Sequence, residues 1–147
     1  MISVNIRIAQ PNEVSQIRSL VNDVIGEVYA HLNPPKLTEL NDQSPWTKSW
    51  VVVDNNYIVG VGLANDSCID DLWIRPQYRA RKLGSELLAV LESEIRKNGH
   101  SCATLRVLAE NIAARRFYLR HGWRELKSYP HEKWGFLMVD MQKELDG

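Results

Sequence analysis

Residues 69–85 read Ile69-Asp70-Asp71-Leu72-Trp73-Ile74-Arg75-Pro76-Gln77-Tyr78-Arg79-Ala80-Arg81-Lys82-Leu83-Gly84-Ser85. The start of this stretch is apolar and β-rich, and it closes a strand predicted over Cys68–Ile74 that Pro76 ends. From Leu83 the period changes: Leu83, Leu87, Leu88, Leu91 and Ile95 fall at helical spacing, and Asn98-Gly99 is a helix stop. A strand therefore feeds a helix through a short turn that carries Arg75, Arg79, Arg81 and Lys82. The first amides of a helix have no intrahelical partner, so such a turn is suited to hold an anion. Guanidinium forks beside those amides fit a pyrophosphate better than a single carboxylate. The same run also reads as a solvated basic loop ahead of a surface helix. Neither GxxxxGK[ST] nor GxGxxG occurs, which argues against P-loop and dinucleotide-binding assignments.

Upstream of this stretch, Val4 to Ala9 alternates as a short strand, and Gln10-Pro11-Asn12-Glu13 opens a helix. Val14, Ile17, Val21, Val24, Ile25 and Val28 give that helix one apolar face. Residues 31–48 carry Pro34, Pro35 and Pro45 and predict a loop with a short helix near Leu37 to Leu40. Ser49 to Asp54 and Tyr57 to Ala64 are strands joined by Asn55-Asn56, a two-residue hairpin signal, and Asn65-Asp66 makes the next turn. Downstream, Ser101 to Leu108 reads as a strand and Asn111 to Arg120 as a helix closed by Gly122. Trp123 to Tyr129 and Phe136 to Leu145 complete the pattern as an antiparallel pair. Helices interleaved with strands after a run of hairpins predict an α/β mixed sheet of about seven strands with helices on both faces.

A chain of 147 residues suits a single domain over 1–147, and 44% apolar with 24% charged residues excludes disorder, collagen and coiled coil. Eighteen Lys and Arg balance eighteen Asp and Glu, so overall charge points to neither nucleic acid nor membrane as partner. No apolar run approaches the roughly 20 residues of a membrane helix, and MISVNIRIAQ lacks the layout of a signal peptide. Cys68 and Cys102 lie in apolar stretches and are expected as buried, reduced thiols of a cytoplasmic protein. No His, Cys and carboxylate spacing matches a metal site, and neither cysteine has a histidine near it by motif.

Arg79-Ala80-Arg81-Lys82-Leu83-Gly84 resembles the Arg/Gln-x-x-Gly-x-Gly/Ala pyrophosphate loop of the GNAT superfamily of N-acetyltransferases, and the run-in from Ile69 resembles that family's fourth strand. Asn111-Ile112-Ala113-Ala114-Arg115-Arg116-Phe117-Tyr118, followed by His121-Gly122-Trp123, resembles the family's second signature. Met141-x-Lys143-x-Leu145 resembles the last strand of many members. The chain departs from the pattern at Lys82, where the family has its first loop glycine. A lysine with φ > 0 would strain the turn by about 1 kcal/mol, whereas helical angles would simply add a cation beside the phosphates. The helical reading is the one favoured here.

The resemblance implies a mostly antiparallel, twisted sheet splayed between its fourth and fifth strands, with acetyl-CoA entering the gap. It implies that Leu72, Trp73 and Ile74 pair with the pantetheine through their freed backbone groups. It implies that Arg79, Ala80, Arg81, Lys82, Leu83, Gly84 and Ser85 hold the pyrophosphate. Asn111 would bond the pantetheine arm or tie down the adjacent strand, and Ala114 would leave room for it. Asn111 also reads as a helix N-cap, and Ala113-Ala114 as simple helix formers.

The implied chemistry is acetyl transfer to a primary amine of a small molecule or a peptide, without a metal and as a homodimer. An aliphatic amine is mostly protonated at neutral pH, so a base or a water chain must take its proton. Asp70 matches the family position that often carries an acidic base. Adjacent Asp71 points to the other face unless a bulge intervenes, and either carboxylate also reads as ion-paired or solvated. A backbone amide near Leu72 would meet the oxyanion. Tyr118 matches the family's acid, one face of a helix two turns beyond Asn111, while Phe117 is expected to pack into the core. Tyr118 also reads as a core aromatic itself. Tyr29, Trp46, Trp50, Tyr129 and Trp134 offer aromatic surface to an acceptor, with Trp50 expected in the core. His31 and His131 read as loop histidines. A non-catalytic acyl-CoA-binding module is the alternative function.

Overall fold

The structure, a computed structural model, describes residues 4–29, 45–79 and 81–145, with the side chains of Val28 and Tyr29 left aside. The elements are β1 (Val4–Ile8), α1 (Val14–Tyr29), β2 (Trp50–Asp54), β3 (Tyr57–Asn65), β4 (Cys68–Ile74), α2 (Leu83–Lys97), β5 (Cys102–Leu108), α3 (Ile112–Arg120), β6 (Arg124–Pro130) and β7 (Leu137–Glu144). Their order is the expected one. The proposed helix near Leu37 to Leu40 lies outside the described residues.

The seven strands form one sheet in the order β1-β2-β3-β4-β5-β7-β6. β1–β2, β2–β3, β5–β7 and β6–β7 are antiparallel, and β4–β5 is parallel. That parallel register is a single pair, Cys68 with Thr104, next to which Thr104 N donates to Ser67 O at 3.0 Å. The chain divides into two compact units, 1–63 with 71–91 and 64–70 with 92–147, so that both β4 and α2 are shared between them.

In the first unit, Asn55 and Asn56 have φ of +49° and +71°, the conformation a two-residue hairpin turn requires and that asparagine tolerates. Two apolar clusters cover the two sheet faces. One joins Ile17, Leu20, Val21, Val24 and Ile25 of α1 to Val51, Val53, Ile58 and Val61, and the other joins Leu83 and Leu87 of α2 to Val52, Val59 and Ile74. Glycines allow the second contact: a Cβ at Gly60 would lie 2.5 Å from Ile74 Cδ1, and one at Gly62 would lie 2.8 Å from Leu91 Cδ1. Two tryptophans exchange their expected places. Trp46 is 1% exposed within the α1 cluster, whereas Trp50, expected in the core, is half-buried against the α2 cluster. Strand alternation assigns Trp50 a face, but helix packing decides which residue is sealed.

In the second unit, Glu92 on α2 is buried with both carboxylate oxygens occupied. Trp123 Nε1 donates to one at 3.0 Å and Lys143 Nζ to the other at 2.8 Å. Arg96 Nε caps the C-terminal end of β7 by donating to Leu145 O at 2.7 Å. Glu92→Ala strands an indole N–H and a partly buried ammonium, so we expect a loss of about 2–3 kcal/mol in urea-unfolding free energy. A loss below about 0.5 kcal/mol would show that these bonds contribute little.

Candidate functional site

The turn before α2 is assembled within the first unit. Arg75 N donates to Val59 O at 2.8 Å, Tyr78 N to Arg75 O at 2.9 Å and Arg79 N to Pro76 O at 3.2 Å, so a tight 3-10 turn at Pro76–Tyr78 follows β4. The four cations then separate into two pairs. Arg75 reaches Ile58 O through Nε at 3.3 Å and Asp23 at 3.5 Å, and Arg79 reaches Ile74 O at 3.1 Å and Glu27 at 2.7 Å. Asp23 and Glu27 are one helical turn apart, so α1 presents both acids together. Among the described residues, Arg81 and Lys82 carry no ion pair, and the Arg81 guanidinium lies 5.0 Å from the centre of the Tyr78 ring.

Lys82 has φ of +63°, which corrects the expectation of helical angles at this position. A left-handed residue leads the chain into α2, and lysine fills that place at a strain of about 1 kcal/mol. The helical ladder then begins with Glu86 N donating to Lys82 O at 3.1 Å. The amides of Leu83 and Gly84 therefore precede the ladder, beside two exposed cations. These donors fit an anionic phosphate ester. Ala80 lies outside the described residues. On β4, Leu72 and Ile74 pack with the α2 cluster and Trp73 with the α1 cluster, where Trp73 Nε1 donates to Asp71 Oδ1 at 2.9 Å.

In the second unit, Asn111 is the N-cap of α3: its Oδ1 accepts from Ala114 N at 3.2 Å. Ala114 is half-buried. Tyr118 is 7% exposed and its ring packs edge-on to Trp123 at 5.8 Å and to Phe117 at 5.2 Å. Phe117, expected in the core, is instead half-buried and lies 4.5 Å from the His121 ring. Asp70 is exposed, and its carboxylate lies close enough to the Cys68 thiol to act on it. Burial and the neighbouring Asp70 carboxylate push that thiol up to about 11, so it stays protonated at neutral pH and is a poor nucleophile. Both cysteines are free and half-buried rather than fully buried.

The residues offered to an acceptor are engaged locally where they are described. Tyr129 OH donates to Asp140 Oδ1 at 2.6 Å, and burial raises its pKa. His131 Nδ1 accepts from the amides of Lys133 and Trp134, both at 3.1 Å, which places the proton of the neutral ring on Nε2. Burial lowers its pKa, so His131 is a loop-forming histidine. His31 lies outside the described residues, as does the Tyr29 side chain. Sequence reasoning missed Asp23, Glu27, Asp54 and Glu92, whose partners are far along the chain and carry no local signal. Among the described residues, no group of three or more His, Cys, Asp or Glu is placed to hold a metal, and no helix is long and apolar enough to cross a membrane.

A family model described as an acetyltransferase (GNAT) domain matches residues 20–145. An aminoalkylphosphonate N-acetyltransferase of Salmonella typhimurium is 39% identical over 57 residues, which is 39% of this chain and only 37% of that protein's length. YncA of Salmonella typhimurium, solved with its cofactor acetyl-CoA, superposes with a TM-score of 0.80 at 19% identity, covering 99% of this chain and 95% of that one. The ribosomal-protein-S18-alanine N-acetyltransferase of Escherichia coli superposes with a TM-score of 0.73 at 18% identity, covering 99% and 96%.

Proposed function

Because the chain belongs to the acetyltransferase (GNAT) domain family, a family of acyltransferases, we propose that it transfers the acetyl group of acetyl-CoA to a primary amine. The observation that carries this reading is the entrance to α2: a left-handed Lys82 followed by amides that precede the helical ladder, with exposed Arg81 beside them. Acetyl-CoA supplies an activated thioester carbonyl. Leu83, Gly84 and Ser85 amides with Arg81 and Lys82 hold its pyrophosphate, and the backbone of Leu72, Trp73 and Ile74 pairs with its pantetheine amides. Asn111 spends its oxygen on the cap of α3 and keeps its NH₂ for a ligand carbonyl.

The amine nitrogen attacks the carbonyl carbon, a C–N bond forms and the C–S bond breaks. Asp70, exposed on β4, takes the proton released by the amine directly or through water, and Tyr118 gives its proton to the departing thiolate. The Leu72 amide faces the developing oxyanion. A protonated Cys68 favours this direct transfer over an acetyl-cysteine route. The same proposal includes a cytoplasmic homodimer.

The test is CoA thiol release from acetyl-CoA over a panel of amines. Aminoalkylphosphonates come first, since the matching Salmonella typhimurium relative bears that name, followed by peptides with free N-termini. Amine-dependent release supports the reading. Tight acetyl-CoA binding with no release on any amine would assign the chain to the acyl-CoA-sensing alternative.

A further inference from the structure

Asp54 ends β2 and is partly buried, with one carboxylate oxygen, Oδ2, accepting from Tyr78 OH at 2.8 Å. The other, Oδ1, is buried without a hydrogen-bond partner among the described residues. A carboxylate kept under those conditions has to be held by something near it, since an unpaired buried charge is costly. On the other side of this bond, the Arg81 guanidinium sits over the Tyr78 ring at 5.0 Å. The Asp54 bond also raises the Tyr78 pKa, so the hydroxyl remains a donor and the ring stays anchored. The chain Asp54–Tyr78–Arg81 thus runs from the β2–β3 hairpin to the residue immediately before the left-handed Lys82.

A flexible arginine on an exposed turn loses rotamer freedom when it holds a phosphate, and a ring that already holds its guanidinium lowers that cost. Arg75 and Arg79 are bonded to Asp23 and Glu27, whereas Arg81 carries no ion pair among the described residues. We propose that Tyr78, anchored by Asp54, is a positioning residue that presents Arg81 to the phosphates of the acyl donor. This rests on the donor-site reading above. It assigns to Tyr78 and Asp54 a role in donor affinity that acts through Arg81 alone.

The test is a double-variant cycle read by calorimetric binding of acetyl-CoA, together with steady-state constants for donor and acceptor. Arg81→Ala is expected to weaken acetyl-CoA binding about tenfold, as the loss of one charge-assisted phosphate contact does. Tyr78→Leu is expected to weaken it about fivefold, with kcat and the acceptor KM within twofold of wild type. The double variant is expected to bind no worse than Arg81→Ala alone, because the ring acts through the guanidinium. Losses that multiply in the double variant, or a Tyr78→Leu affinity equal to wild type, would overturn the proposal. Should Tyr78→Leu fail to fold, the same cycle with Tyr78→Phe, which drops only the Asp54 bond, decides it with an expected loss of about threefold. Wild-type protein that does not bind acetyl-CoA would overturn the donor-site reading itself, and the positioning role with it.

Discussion

Tyr118→Phe is expected to lower kcat by about 10- to 1000-fold while acetyl-CoA affinity and the fold are kept. The substitution removes only a hydroxyl. The ring keeps its edge contacts with Trp123 and Phe117, so stability is expected to change by no more than about 1 kcal/mol. In the proposed reaction the sulfur leaves as a thiolate when the C–S bond breaks, and Tyr118 on α3 is the group proposed to supply its proton. The measurement is single-turnover acetyl transfer with the chemical step shown to be rate-limiting. A kcat within about twofold of wild type would remove Tyr118 from the mechanism.

Gly84→Val is expected to weaken acetyl-CoA binding by about tenfold or more. Gly84 is the second residue of α2, and its amide is among those that precede the helical ladder. A β-branched side chain there places methyl groups beside the face on which a pyrophosphate would approach. The control is built into helix energetics. Valine is a better helix former than glycine by a few tenths of a kcal/mol, so thermal stability should hold or rise while affinity falls. Unchanged calorimetric affinity would move the phosphate site away from α2.

Periodicity made the elements legible because each one buries a face in a regular way. Leu83, Leu87, Leu88, Leu91 and Ile95 mark α2 whatever it packs against, and Asn55-Asn56 marks a turn that few other residue pairs tolerate. The helical reading of Lys82 rests on the service a cation gives an anionic ligand, which says nothing about backbone angles, and the structure has the residue left-handed. That Phe117 is half-buried, not sealed, has a similar cause. The two side chains are about 100° apart on α3, and the rotation of that helix against Trp123 selects the sealed one. The motifs singled out the turn proposed to hold the donor's phosphates, yet they did not show that Arg75 and Arg79 are bonded to acids 52 residues away.

That division of the cations bears on how fast a donor finds the turn. Arg75 and Arg79, each beside a carboxylate of α1, present little net charge beyond a Debye length of about 8 Å at physiological ionic strength. Of the four cations only Arg81 and Lys82 are unpaired among the described residues, about half of what the residue count suggests, and exposed Glu86 in the first turn of α2 lowers their field further. The association rate constant should therefore decline only gently as salt is added, and selectivity among acyl thioesters must arise after encounter, in how long each one stays.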